Sequence, residues 1–262
     1  MRVNGSLIMA TASNSDAGNC LITGATGGIG RALVTAFHQA GYQVIATDLG
    51  EQPADLRCAH YRRADLNRIV QDSDAADAFI TDIRARLQGQ GLSVLINNAA
   101  TQILAPTDTL SRADWQQTLN VNLTAPFLLT QALLPELEAA QGSVINIGSI
   151  HARLTKRRFV AYATSKAALA GLTRALAVDL GPRIRVNAIE PAAIDTPMLR
   201  AGFEGQPALY QRLADCHPQQ RIGQPEEVAR LALALAAGDM AFLSGSCIGL
   251  DGGIAGQLYD PD

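Results

Sequence analysis

Aromatic residues make up only 5% of this 262-residue chain, with a single tryptophan, and cysteine is scarcer still. The four cysteines, Cys20, Cys58, Cys216 and Cys247, lie far apart and none forms a CxxC pair. That spacing argues against a disulfide framework and suits free thiols in a reducing compartment. The four histidines form no cluster with neighbouring ligands, so no metal is expected. Neither sign of charge dominates: 21 basic against 24 acidic residues give a net charge of −3. Bulk electrostatics therefore gives no support to a nucleic-acid partner. No apolar run approaches the roughly 18–20 residues of a membrane helix. Near the start only Leu7 to Ala10 are apolar in succession, too few for a signal-peptide core. Residues 1–18 read as a polar N-terminal extension, and the protein as cytoplasmic.

What is present is apolar bulk. Hydrophobic residues at 48% against 17% charged supply a sizeable core. Short β-branched runs alternate with longer helical patterns, the signature of βαβ units and a parallel sheet. Candidate strands are Asn19–Thr23, Gln43–Thr47, Cys58–Arg62, Ser93–Ile96, Ser143–Ile147, Ile184–Ile189 and Cys247–Leu250. Candidate helices fall near 29–40, 73–87, 112–139, 160–180 and 225–236. Runs such as Val94-Leu95-Ile96 lack alternation, as expected where helices cover both sheet faces. The expected architecture is a Rossmann-type doubly wound sheet of about seven strands in three α/β/α layers. A single catalytic domain over 19–262 is the economical reading, with 195–222 an irregular, Pro- and Gly-containing insertion.

Thr23-Gly24-Ala25-Thr26-Gly27-Gly28-Ile29-Gly30 joins the first strand to the first helix. Glycines there let the backbone approach a pyrophosphate, whose charge then faces the helix N-terminus. The same residues could also serve only a tight strand–helix turn. Asp48 closes the second strand 18 residues after Gly30, where a carboxylate can accept from adenosine ribose hydroxyls. By itself it could equally be a solvated loop aspartate.

Tyr162 and Lys166 stand four apart on a candidate helix and so share a face. A free phenol, with a pKa of about 10, is a poor base at neutral pH, and bringing it near 7.5 takes roughly 3.4 kcal/mol. One cation about 4 Å away at an effective dielectric near 20 supplies about 4 kcal/mol. The lysine is therefore of the right magnitude, although this spacing also occurs by chance.

In combination these motifs resemble the short-chain dehydrogenase/reductase family. The glycine loop is similar to that family's TGxxxGxG, and Asn97-Asn98-Ala99-Ala100 to its NNAG. Asn122 falls at the helical asparagine, and Ser149, 13 residues before Tyr162, at the catalytic serine. Pro191-Ala192-Ala193-Ile194-Asp195-Thr196-Pro197-Met198 resembles PGxIxTPM. Arg221 to Ala229 and Leu250-Asp251-Gly252-Gly253 match the C-terminal signatures, so the likeness covers about 19–254.

The resemblance implies an oxidoreductase that moves a hydride between NAD and a secondary alcohol or ketone. In that reading Tyr162 is the acid/base, and Lys166 lowers its pKa and holds the nicotinamide ribose. Ser149 hydrogen-bonds the substrate oxygen, and Asn122 orders a relay water. Gly24, Thr26, Gly27, Gly28, Ile29, Gly30, Asp48, Asn98, Ala99, Pro191 and Ile194 would line the cofactor path. Asp65 and Leu66 fall where the family contacts adenine, and Thr196 where it contacts the carboxamide. Ile150, His151, Phe159 and a lid at 195–222 would shape the substrate site. Homodimers or homotetramers are usual.

Two departures, Ala100 and Ala192 in place of glycine, add methyls beside that path; Gly148 replaces a serine without touching the catalytic position. A small polar substrate (polyol, sugar or hydroxy acid) is the leading expectation. Asp48, with Gly27 and Leu49 where NADPH users often carry arginine, disfavours an NADPH-dependent ketoacyl or carbonyl reductase. The complete tetrad disfavours a non-catalytic NAD-binding regulator. Pro126 has no N–H for the Asn122 carbonyl, so a helix irregularity is expected at 122–126. Lys156, Arg157 and Arg158, with Arg153, either face solvent or a neighbouring subunit, or steer an anionic substrate group.

Overall fold

The computed structural model describes residues 17–258, so the expected extension at 1–18 lies almost wholly outside the described residues. Seven strands form one parallel sheet: β1 (Asn19–Thr23), β2 (Gln43–Asp48), β3 (His60–Arg63), β4 (Leu92–Asn97), β5 (Ser143–Ile147), β6 (Arg185–Pro191) and β7 (Cys247–Leu250). Their order is β3-β2-β1-β4-β5-β6-β7, and every pairing is parallel. The direction of winding reverses between β1 and β4. Helices α1 (Gly28–Gln39), α2 (Leu66–Gln71), α3 (Ser73–Leu87), α4 (Arg112–Leu119), α5 (Ala125–Ala132), α6 (Leu134–Ala139), α7 (Val160–Leu180), α8 (Pro197–Ala201), α9 (Pro207–Asp215) and α10 (Pro225–Ala236) complete the chain order.

Both faces of the sheet are buried, which explains why its central strands read as continuous apolar runs. On one face Cys20, Ile22, Val44, Val94, Ile96 and Ile145 pack with Leu33, Val34 and Phe37 of α1 and Val228 and Leu235 of α10. On the other, Leu21, Ile45, Leu95, Val144 and Val186 meet Phe79 and Ile83 of α3, Leu129 of α5 and Leu176 of α7. Alternate residues of β1 thus serve opposite cores, as the two-residue period of a strand requires.

Three details depart from expectation. The helix anticipated over 112–139 carries the irregularity expected at 122–126, as a π turn over Asn120–Thr124 before Pro126 in the first turn of α5, and the departure is a second break at Pro135, in the first turn of α6. Ala125 donates its amide to the Asn120 carbonyl, five residues back. Proline offers no N–H, and a π turn absorbs the broken register. The insertion at 195–222 is not irregular throughout, because it carries α8 and α9. Pro197 and Pro207 occur in their first turns, where a missing N–H costs nothing. Short α2 escaped notice, being too brief to show a period; the Asp65 carboxylate caps it by accepting from the amides of Asn67 and Arg68.

Candidate active site

Parallel pairing sends the carboxyl ends of all strands to one edge of the sheet, and the reversal between β1 and β4 opens a crevice there. A cleft of about 1020 Å³ runs along this edge, lined at the strand ends by Thr23, Asp48, Asn98, Ile147 and Pro191.

At one end lies the glycine loop. Gly24 has a φ of +64°, and a Cβ there would come 2.7 Å from the Ala99 backbone. At Gly30 a Cβ would sit 2.0 Å from the Gly24 carbonyl oxygen. These glycines let the loop press against β4's exit and against the first turn of α1. Gly27 differs, since a Cβ there meets only the Gly24 oxygen at 3.6 Å. No side chain caps α1, and its first turn holds no acid. Its free amides and positive dipole end suit a diphosphate.

Polar side chains fix this end in place. Asp48 accepts from the Thr26 amide (2.8 Å), the Thr26 hydroxyl (2.7 Å) and the Leu49 amide (2.7 Å). A carboxylate has about four acceptor positions, so it retains capacity toward the cleft. The Thr23 hydroxyl accepts from the amides of Asn98 and Ala99, and Asn98 donates to the carbonyls of Thr23 and Gly24. Leu66 and Asp65 line the cleft beyond Asp48. This end could hold a nucleotide cofactor, and Asp48 is part of its wall.

The other end gathers Ser149, Tyr162 and Lys166. Lys166 is 2% exposed; its Nζ donates to the Ile147 carbonyl at 2.7 Å and lies 5.7 Å from the Tyr162 ring centre. Burial lowers its pKa to about 8. Burial also raises the Tyr162 phenol, against the pull of a hydrogen bond with Ser149. The expectation that Lys166 brings the phenol toward neutrality is therefore not met by the protein groups alone. Loss of solvation outweighs the hydrogen bond with Ser149, and the Lys166 ammonium is engaged by the Ile147 carbonyl.

Asn122 is buried, and its side chain makes three hydrogen bonds. It donates to the Thr101 carbonyl (2.9 Å) and Ser165 hydroxyl (3.0 Å), and accepts from the Thr101 amide (2.8 Å). Ser165 in turn donates to the Tyr162 carbonyl. The expected irregularity here is the π turn at 120–124, and Pro126 withholds the amide four residues on.

His151 stacks on Phe159 at 4.4 Å and meets Tyr162 edge-on at 5.7 Å. Burial and the Lys156 charge lower its pKa to about 4, so its ring is neutral at physiological pH. Lys156 lies over the outer face of Phe159 at 4.8 Å. Of the cations suggested for anion steering, only Lys156 lines the cleft. Arg153 is paired with the buried Glu190 at 3.0 Å, and Arg158 reaches the Leu104 carbonyl. Thr196 caps α8 through its hydroxyl, and Thr196 and Pro197 lie so close to Gly28 that a Cβ there would meet Thr196 Cγ2 at 2.7 Å. Ile194 lines the cleft, but its side chain joins the core beside α10.

The family described as Enoyl-(Acyl carrier protein) reductase matches residues 24–255. Protein FixR of Bradyrhizobium diazoefficiens is 38% identical over 89% of this chain and 85% of its own. The 3-oxoacyl-[acyl-carrier-protein] reductase FabG of Thermotoga maritima is 34% identical over 90% and 96%. This chain belongs to the short-chain dehydrogenase/reductase family. Its members are oxidoreductases that use a nicotinamide cofactor. The D-threitol dehydrogenase of Mycolicibacterium smegmatis is 32% identical, covering 89% of this chain and 91% of that one. Among solved structures, Thermoplasma acidophilum aldohexose dehydrogenase superposes with a TM-score of 0.87 at 30% identity, over 95% of this chain and 98% of its own. A putative NAD(P)-dependent gluconate 5-dehydrogenase from Beutenbergia cavernae, with bound NADP at low occupancy, gives 0.83 at 28%, over 92% and 97%.

Within this short-chain dehydrogenase/reductase frame, several supporting residues escaped the sequence reading. A buried chain runs from Asn97 Nδ2 to Asn146 Oδ1, and from Asn146 Nδ2 to Thr173 Oγ1, tying β4 and β5 to α7. Asparagines inside apolar strands were the available signal, since buried amides need partners. His217 also lines the cleft, from the segment after α9, and nothing in its local sequence marks it.

Proposed function

We propose that this protein is an NAD-dependent dehydrogenase of a small polyhydroxylated secondary alcohol. The convergence of Ser149, Tyr162 and Lys166 at one end of a cleft, with the uncapped glycine loop and Asp48 at the other, carries the reading. NAD bound along the cleft supplies the hydride acceptor, and in reverse NADH the donor. Ser149 hydrogen-bonds the substrate oxygen and Tyr162 exchanges its proton. Lys166 holds the nicotinamide ribose, and its charge together with that of oxidised nicotinamide offsets the burial that raises the phenol. The Asn122 carbonyl orders a water that carries the proton onward from Lys166. Thr26, Gly27, Gly28, Ile29 and the α1 amides face the diphosphate; Asp65 and Leu66 face adenine; Ala99, Pro191, Ile194 and Thr196 face the nicotinamide side.

Helices α8 and α9 form the lid over the substrate, whose walls include His151 and Phe159. The threitol, aldohexose and gluconate names among the relatives favour a polyol or sugar, as does neutral His151 beside Tyr162. Asp48 favours NAD, because its charge opposes a 2′-phosphate. Cytoplasmic location and assembly as a homodimer or homotetramer belong to the same reading, the latter supported by exposed Val178 and Phe242. A second reading, NADPH-dependent reduction of a 3-oxoacyl group, is favoured by the likeness to the Thermotoga reductase and opposed by Asp48.

The test is a screen of polyols, aldoses, hydroxy acids and 3-oxoacyl thioesters with NAD(H) and NADP(H), repeated with Tyr162→Phe. Turnover of the preferred alcohol should fall by about 10²-fold or more in that variant while NADH still binds. Wild-type turnover in Tyr162→Phe would end the acid/base assignment, and thioester reduction with NADPH alone would favour the second reading.

A further inference from the structure

Glu190 stands in β6 beside Pro191, and the reaction at Tyr162 does not use its carboxylate. It is 2% exposed and does not line the cleft. Among the described residues its cationic partner is Arg153, whose Nε lies 3.0 Å from Glu190 Oε2. That oxygen accepts no hydrogen bond, so charge holds the pair and not an aligned N–H. Two glycines leave room for it. A Cβ at Gly148, the position where the family pattern has serine, would come 3.1 Å from Glu190 Cγ. One at Gly249 would come 3.3 Å from Arg153 Nη2.

The pair reaches Ser149 through a short closed turn. Ser149 caps the turn at Ile150–Ala152, its Oγ accepting from the His151 amide at 3.2 Å. Within the turn the Ala152 amide donates to the Ser149 carbonyl, and the Arg153 and Leu154 amides donate to the Ile150 carbonyl. At its start the Gly148 amide donates to the Ile189 carbonyl at 2.7 Å. At its end Arg153 meets Glu190, the next residue of the same strand. The segment that carries Ser149 is thus fastened to β6 at both ends, once by the backbone and once by charge. A buried ion pair adds little net stability, because desolvation offsets the attraction. Its effect here is to fix a place: the carboxylate finds its counter-charge only when the turn lies against β6.

We propose that Arg153 and Glu190 are positioning residues that aim the Ser149 hydroxyl at the substrate oxygen. This rests on the role given to Ser149 above. Neither Arg153 nor Glu190 lines the cleft, so both act through the turn. A displacement of about 1 Å far from the chemistry can cost about 10²-fold in rate. An end of the turn that is loosened while the other stays bonded should cost about tenfold.

The experiment measures kcat, KM and melting temperature with NAD and threitol, or with the alcohol that turns over fastest in the screen above. Arg153→Met should lower kcat by about tenfold and leave KM for NAD within about twofold. Its melting temperature should fall, because Glu190 stays buried with its charge unpaired. Arg153→Lys keeps the charge and should recover part of both losses. The double variant Arg153→Met/Glu190→Met should melt at the wild-type temperature or above while its kcat stays low. In a Ser149→Ala background, Arg153→Met should lower kcat by less than about twofold further, since no hydroxyl is left to aim.

Recovery of kcat together with melting temperature in the double methionine variant would make the pair purely structural and overturn the proposal. A tenfold loss that persists without the Ser149 hydroxyl would overturn it too. Should Arg153→Met fail to fold, the double methionine variant is compared with and without Ser149→Ala. A loss that vanishes in the Ser149→Ala background supports the proposal, and one that persists refutes it. Wild-type turnover in Ser149→Ala, or no turnover of any alcohol, refutes the reading of the site itself. A loss independent of Ser149 refutes this inference alone.

Discussion

Replacing Lys166 by methionine should abolish turnover and yet make the protein more stable at neutral pH. The ammonium is 2% exposed, and its observed protein contact is the Ile147 carbonyl at 2.7 Å. In the unfolded chain its pKa is near the ordinary 10.5; burial brings it to about 8 in the fold. Below about pH 8 both states hold the proton, and the folded state bears the full cost of a desolvated cation. The gap from 10.5 to about 8, at about 1.4 kcal/mol per pH unit, makes that cost about 3 kcal/mol. Methionine matches the unbranched stem and removes the charge, but it leaves the Ile147 carbonyl unpaired at about 1–2 kcal/mol. The net gain is about 1–2 kcal/mol at pH 7, or roughly 2–6 °C in melting temperature for a chain of this size.

The sign of the pH dependence is fixed. Between about pH 8 and 10.5 the folded wild type releases this proton while the unfolded chain keeps it, so wild-type stability gains on the variant as pH rises. The advantage of Lys166→Met should shrink steadily over that range. Thermal melts of both proteins at a series of pH values from 7 to 10 are the assay, with turnover measured in parallel and expected to fall by at least about 10²-fold. A variant less stable than wild type at pH 7, or a difference that does not move with pH, would refute the claim that a buried charge is held here at the expense of stability.

Two further outcomes follow from the cofactor end. Asp48→Ala should narrow the preference for NAD over NADP, measured as the ratio of kcat/KM values, because the carboxylate no longer opposes a 2′-phosphate. Since Asp48 also holds Thr26 by two hydrogen bonds, affinity for NAD should weaken as well; a variant that still rejects NADP as strongly as wild type would contradict the assignment. Gly30→Ala places a methyl 2.0 Å from the Gly24 carbonyl oxygen, a backbone atom that no rotamer change can move aside. Overpacking of this kind costs about 1–3 kcal/mol, so calorimetry should find a lower melting temperature and titration a weaker NADH affinity, whereas unchanged values would mean the loop is not packed as described.

The sequence by itself determined the seven parallel strands, most of them because an apolar run carries its own signal and glycine and proline punctuate the intervals; the polar edge strand β3, expected at Cys58–Arg62, lies at His60–Arg63. Asn19–Thr23, Ser143–Ile147 and Cys247–Leu250 match the structure to the residue. It also named the candidate catalytic and glycine-loop residues, whose spacings lie within one helix or one turn and so need no knowledge of the fold. Local pattern showed the break at Pro126, where a missing N–H marks it, but was insufficient at Pro135 and where helices are short, as at α2, α8 and α9. Only the tertiary structure decided what depends on burial and on distant partners. It engages the Asn122 side chain with Thr101 and Ser165, pairs Arg153 with Glu190, and raises Tyr162 instead of lowering it. It also leaves the His217 Nε2 buried without a hydrogen-bond partner. Solvation and hydrogen-bond pairing are properties of the assembled surroundings, so no reading along the chain could assign them.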